Sequence, residues 1–203
     1  MSEVYNPLDK RNLGKSIVDA LLLQSAISID EILPFDGAGI YAIYYFGDFP
    51  AYEPISAKVD EPSAIPIYVG KAIPKGARRG ASLEISSTGN SLFSRLRQHR
   101  ESLNSVSNSD SGISAGDFWI RYLVVDDIWI PLGEALMIAA FNPVWNVELD
   151  GFGNHDPGKG RYQGLRPKWD VVHPGRAWAE KCAQRQESKE ELITQIFDHF
   201  NRA

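Results

Sequence analysis

Residues 39–46 read GIYAIYYF. So dense a run of β-branched and aromatic residues suits a pleated strand better than a helix. A polar, proline-punctuated stretch from Gly47 to Pro66 follows, and Ile67–Gly70 then reads as a second short strand, antiparallel to the first. Phe118–Val125 alternates well enough for a third strand.

The segments around these strands carry helical signals. Asn6-Pro7 reads as an N-cap with proline at the first helical position. Leu13, Ile17 and Leu21, with Val18 and Leu22 beside them, predict an amphipathic helix to about Gln24. A second helix starts near Asn90 or Ser91, with Leu92, Leu96 and Leu103 on its apolar side. A third is opened by Pro131, places Glu134 in its first turn, and is closed by Asn142-Pro143. A last helix carries Leu192, Ile196 and Phe200 on one face. Lys71–Asn90, Asn104–Gly116 and Gly151–Gly175 read as loops. The expected class is α+β, a small antiparallel three-stranded sheet flanked by helices. Trp119, Trp129, Trp145 and Trp169 are read as packing residues.

The chain of 203 residues fits one domain, 1–203, and its net charge of −5, taken alone, argues against a polyanionic partner. The distribution reverses that impression. Residues 71–100 carry 7 cations against 1 anion, and residues 151–176 carry 5 against 2, between strongly acidic segments. Phosphate recognition depends on local charge, so these two segments are the candidate grip on nucleic acid. The single cysteine, Cys182, excludes an internal disulfide and fits a reducing cytoplasm. Met1–Leu13 does not read as a secretory leader, and no apolar run is long enough to span a bilayer.

Six residues could form a phosphodiesterase site. Tyr41 and Tyr68 lie on adjacent strands, and Arg95 and His99 share a helix face. Glu134 can hold a divalent cation through oxygen, and Asn146 follows its helix. Arginine can clamp a phosphate in a fork, while tyrosine and histidine can move protons. Periodicity alone does not bring the six together.

In order along the chain, Gly39-Ile40-Tyr41, Tyr68-Val69-Gly70, Arg95-Leu-Arg-Gln-His99, Glu134 and Pro143-Val-Trp-Asn146 resemble the signature of the GIY-YIG superfamily of nucleases. Valine stands where the second triplet usually has isoleucine, and the gaps before Tyr68 and before Arg95 are longer than the superfamily norm. The resemblance covers about residues 37–147, the nuclease core. Residues 1–36 then form an N-terminal helical extension, and 148–203 a C-terminal DNA-binding and helical extension.

The size and loops are similar to those of the small type II restriction endonucleases of the superfamily that cut the palindrome CCGCGG. The resemblance implies hydrolysis of double-stranded DNA with one Mg²⁺, or Mn²⁺, per site on Glu134. It implies Tyr41 as general base, with Tyr68 the alternative. Arg95 would sit on the phosphate, His99 would accept or relay the proton, and Asn146 would hold Glu134 or the local backbone. Nearby cations would have to lower the Tyr41 pKa. Lys75, Arg78, Arg79, Lys159, Arg161, Arg166 and Lys168 are the candidate DNA contacts. A homodimer is expected on a palindrome, its interface offered by the terminal helices or those helices covering their own core. The competing readings are a structure-specific repair nuclease and a catalytically idle DNA-binding module.

Overall fold

The structure, a computed structural model, describes residues 6, 9–56, 64–74, 89–107, 109 and 111–202. Its strands are β1 (Ile27–Ser28), β2 (Gly39–Tyr45), β3 (Tyr68–Ala72) and β4 (Phe118–Val124). They form one antiparallel sheet in the order β1-β4-β2-β3. The expected three strands are therefore four. β1 adds only two residues to the far edge, pairing Ile27 with Ile120 and Ser28 with Trp119. So short a strand shows no alternation in a sequence.

β2 is central, and all seven of its residues are buried. Side chains alternate along a strand, so β2 serves two cores. Tyr41, Ile43 and Tyr45 join one with α2 (Ser91–Ser107) and α6 (Lys189–Arg202). Ile40, Ala42 and Tyr44 join the other with α1 (Lys10–Leu22) and α3 (Ile130–Phe141). Two-sided burial explains why the run shows no polar alternation.

The terminal helices cover their own cores. Ile17 and Leu21 of α1 are buried in the second cluster, and Leu192 and Ile196 of α6 in the first. α1 begins at Lys10, so Asn6 precedes the helix, and Pro7 lies outside the described residues. α3 ends at Asn142, whose φ of 46° is the left-handed C-cap conformation. Glu134 is its fifth residue, one turn in from the start. α2 runs on to Ser107, into the expected loop. The expected loop 151–175 contains a short helix, α5 (Lys168–Val172). Trp145 and Trp169 are fully buried, as packing residues should be, while Trp119 and Trp129 are half-buried.

β3 is the second edge, and an exposed edge leaves backbone groups unpaired. Here the edge is covered by α4 (Val144–Val147). The Trp145 N–H donates to the Ile67 carbonyl at 3.0 Å. The Asn146 side chain takes both groups of Val69: its Oδ1 accepts from the Val69 N–H at 2.8 Å, and its Nδ2 donates to the Val69 carbonyl at 2.8 Å. β3 is thus fixed between Tyr68 and Gly70.

Candidate active site

Tyr41 and Gly70 are directly opposite in the β2–β3 pair, with Ile43 opposite Tyr68. Their side chains share the face covered by α2. A Cβ at Gly70 would stand 2.3 Å from the Tyr41 hydroxyl and 2.4 Å from its Cζ, so only glycine leaves room for that ring. Gly39 meets the same limit from β4, since a Cβ there would lie 1.9 Å from the Leu123 carbonyl oxygen. Gly70 is therefore a packing requirement of the Tyr41 ring, and Gly39 one of the close approach of the β4 backbone.

Tyr41 is fully buried, and its hydroxyl lies 2.6 Å from His99 Nε2. The Tyr41 and Tyr68 rings are 6.2 Å apart, and the His99 ring is 5.4 Å from each. Phe152 stacks on His99 at 4.5 Å and 15° and meets Tyr68 edge-on. Arg95, one turn before His99, donates from Nη2 to the Gly153 carbonyl at 2.7 Å, and its Nη1 contacts His155 Nε2.

Burial pushes the Tyr41 hydroxyl well above the ordinary tyrosine range; the Tyr68 hydroxyl beside it adds to this and Arg95 opposes it. Burial likewise raises Tyr68, with Arg95 opposing. Burial, and then Arg95, hold His99 well below the ordinary imidazole range. The expectation that cations lower Tyr41 is thus reversed in the protein without DNA: desolvation outweighs the guanidinium. The Tyr41 hydroxyl and His99 Nε2 share one hydrogen bond between two neutral groups.

Glu134 lies across the sheet. Lys71 follows Gly70 on β3 and so projects to the opposite face, where its Nζ donates to Glu134 Oε2 at 2.5 Å. The pair is part-exposed, with side-chain accessibilities of 34% and 20%. Glu134 is near enough to raise both tyrosines. β3 is an edge strand, so groups on its two faces can meet around its rim. Asn146 holds β3 rather than Glu134.

The profile of the Eco29kI GIY-YIG domain, a restriction endonuclease family, matches residues 33–200. The chain belongs to that family. No curated protein matches the chain. The family match runs past Asn146 through α6, and its C-terminal part contains the groups that hold Arg95.

Tyr41, Tyr68, Arg95 and His99 come together on the α2 face, and Glu134 and Asn146 adjoin the same strand, β3. The proposed DNA contacts divide. Lys159 and Arg161 are exposed. Arg166 donates to the Ala179 and Glu180 carbonyls at 3.1 and 3.2 Å, and Lys168 to the Glu148 carbonyl and Gln195 at 3.3 Å, so both hold the fold. Lys75, Arg78 and Arg79 lie outside the described residues.

Sequence reasoning missed Lys71 and His155. Lys71 had a signal, since its place next to Gly70 puts it on the face opposite Tyr41. His155 sits in an irregular loop with no periodicity to place it. Among the described residues no helix is long and apolar enough to cross a membrane.

Proposed function

We propose that the protein is a type II restriction endonuclease that hydrolyses double-stranded DNA at a short palindromic, G·C-rich site, with CCGCGG the first sequence to test. The carrying observation is the hydrogen bond between buried Tyr41 and neutral His99, with Arg95 beside it and Glu134 at the rim of β3.

In this reading Arg95 takes the scissile phosphate in its fork. Tyr41 removes a proton from the attacking water and passes its own to His99 Nε2. Tyr68 hydrogen-bonds the water or the phosphate. Asn146 fixes β3, and with it the spacing of Tyr68 and Gly70. Among the described residues no three His, Cys, Asp or Glu side chains are grouped as a metal cage. A single part-exposed carboxylate still fits Mg²⁺, or Mn²⁺, because such ions commonly use one or two carboxylates, waters and substrate phosphate. Glu134 is the residue that would hold one ion per site, at the oxygen Lys71 now occupies. The bound ion would supply positive charge to the phosphate and the leaving oxygen. In this reading exposed Lys159 and Arg161 would meet the duplex, and two chains related by a two-fold axis would cut the two strands.

The test is Glu134→Ala. Cleavage of a palindromic duplex in Mg²⁺ should disappear while duplex binding persists. Near-normal turnover by the variant would overturn the reading, and cleavage confined to branched DNA would make the protein a structure-specific nuclease instead.

A further inference from the structure

The segment that follows α4 touches three of the four side chains on the α2 face. Phe152 stacks on His99 and packs against Tyr68, the Gly153 carbonyl accepts from Arg95 Nη2, and His155 Nε2 meets Arg95 Nη1. This segment has little regular structure, yet it is tightly built. Buried Arg176 donates to the carbonyls of Gly151, Phe152 and Asn154 at 2.9, 3.0 and 3.2 Å, and to both oxygens of Asp170 at 2.6 and 2.5 Å. Those contacts engage all five guanidinium N–H donors.

We propose that His155 is a positioning residue for the reaction. With the Gly153 carbonyl it anchors one side of the Arg95 guanidinium, so that the remaining donors face the tyrosine hydroxyls and the phosphate. The inference rests on the nuclease reading above. An arginine side chain with no anchor is free to leave the line of the phosphate through several rotatable bonds, and here the Gly153 carbonyl and His155, with Gln98 Oε1 a longer 3.5 Å from Nη1, fix its plane. His155 can accept only while Nε2 is unprotonated. His155 is exposed, yet the desolvation it feels, and then the charges of Arg95 and Arg176, keep the ring below the ordinary histidine range.

Three substitutions separate positioning from simple structure. His155→Ala removes the acceptor. It should lower the single-turnover cleavage rate by about 10- to 100-fold, the scale of a misplaced reacting group, with duplex affinity within a few-fold of wild type. His155→Gln keeps an acceptor and should restore most of that rate. His155→Lys sets a second cation against Arg95 and should be as slow as alanine. The contact is also read without catalysis, by NMR titration of His155: in Arg95→Met its apparent pKa should rise. A titration unmoved by loss of Arg95 overturns the contact. A folded His155→Ala that cuts at the wild-type rate, or a glutamine variant as slow as alanine, overturns the role alone. A wild-type protein that cuts no duplex brings down the nuclease reading and this role with it.

Discussion

Arg176→Met tests how the loop beside the site is held. Arg176 and Asp170 are 4% and 2% exposed, and the pair is bidentate. The guanidinium also lies 4.6 Å from the Trp169 ring centroid and 4.8 Å from that of Trp178. Methionine keeps an apolar stem but strands a buried carboxylate and removes the donor from three loop carbonyls. Removing one partner of a buried pair costs about 3–5 kcal/mol. At about 2–4 °C per kcal/mol for a domain of this size, Tm should fall by about 6–20 °C. The deficit should depend on pH. Burial raises the Asp170 carboxyl and Arg176 opposes it, so without Arg176 the folded-state pKa moves further above the unfolded one. A raised folded pKa means the folded state binds the proton more tightly. That stabilisation is full below the unfolded pKa and is lost as pH rises through the folded pKa. Thermal melts should therefore show a smaller deficit near about pH 5 than near about pH 8. Adding Asp170→Asn should recover much of the loss at the higher pH. A Tm within about 2 °C of wild type, or a deficit equal at both pH values, would refute the buried-pair argument.

Tyr41→Phe should reduce single-turnover cleavage by about 10²–10⁴-fold and Tyr68→Phe by less; the reverse order would make Tyr68 the base. Replacing Lys159 and Arg161 together by alanine should flatten the salt dependence of duplex binding by about two units of slope, and an unchanged slope would remove them from the DNA surface. Sedimentation of Glu134→Ala with a CCGCGG duplex should show two chains per duplex; one chain per duplex would refute the dimer.

Much of the fold could be read where burial is periodic. The main strands and three of the four long helices follow from apolar composition and spacing, and α3 from its proline and asparagine punctuation. The face shared by Arg95 and His99 follows from a separation of four, and the Asn142 cap from its chemistry. What could not be read depends on contacts between distant segments. β1 exists because Ile27 and Ser28 lie beside β4, not because of any pattern of their own. The tertiary hydrogen bonds of Arg166 and Lys168 could not be read from their place in a basic segment. Arg176 sits within a basic segment, but its partner is Asp170, in the same segment. The terminal helices show amphipathic faces, and only their packing tells that those faces cover the cores.

Among the described residues two buried Tyr–His pairs have equal length, and their surroundings favour the Tyr41 pair for the proposed chemistry. The Tyr52 hydroxyl lies 2.6 Å from His173 Nε2, as Tyr41 does from His99. Burial holds His173 down to about 3, so its ring is neutral. Its Nδ1–H donates to the Ser111 carbonyl at 2.8 Å, and the Tyr52 oxygen accepts from the Trp145 Nε1–H at 2.8 Å. That chain is closed at both ends by neutral protein groups. Moving the proton from Tyr52 to His173 would create a buried phenolate whose named donor is an uncharged indole. Such a network favours one packing arrangement and keeps its proton. The Tyr41–His99 pair has Arg95 on the oxygen side, where a charged donor stabilises the phenolate far better than a neutral one. Burial, and then the same guanidinium, oppose charge on His99, and in the proposed reaction a phosphate anion seated on Arg95 would offset the second of these. In that reading proton transfer would be coupled to substrate arrival through Arg95, so the placement of its guanidinium, and of the loop that anchors it, would govern the reaction.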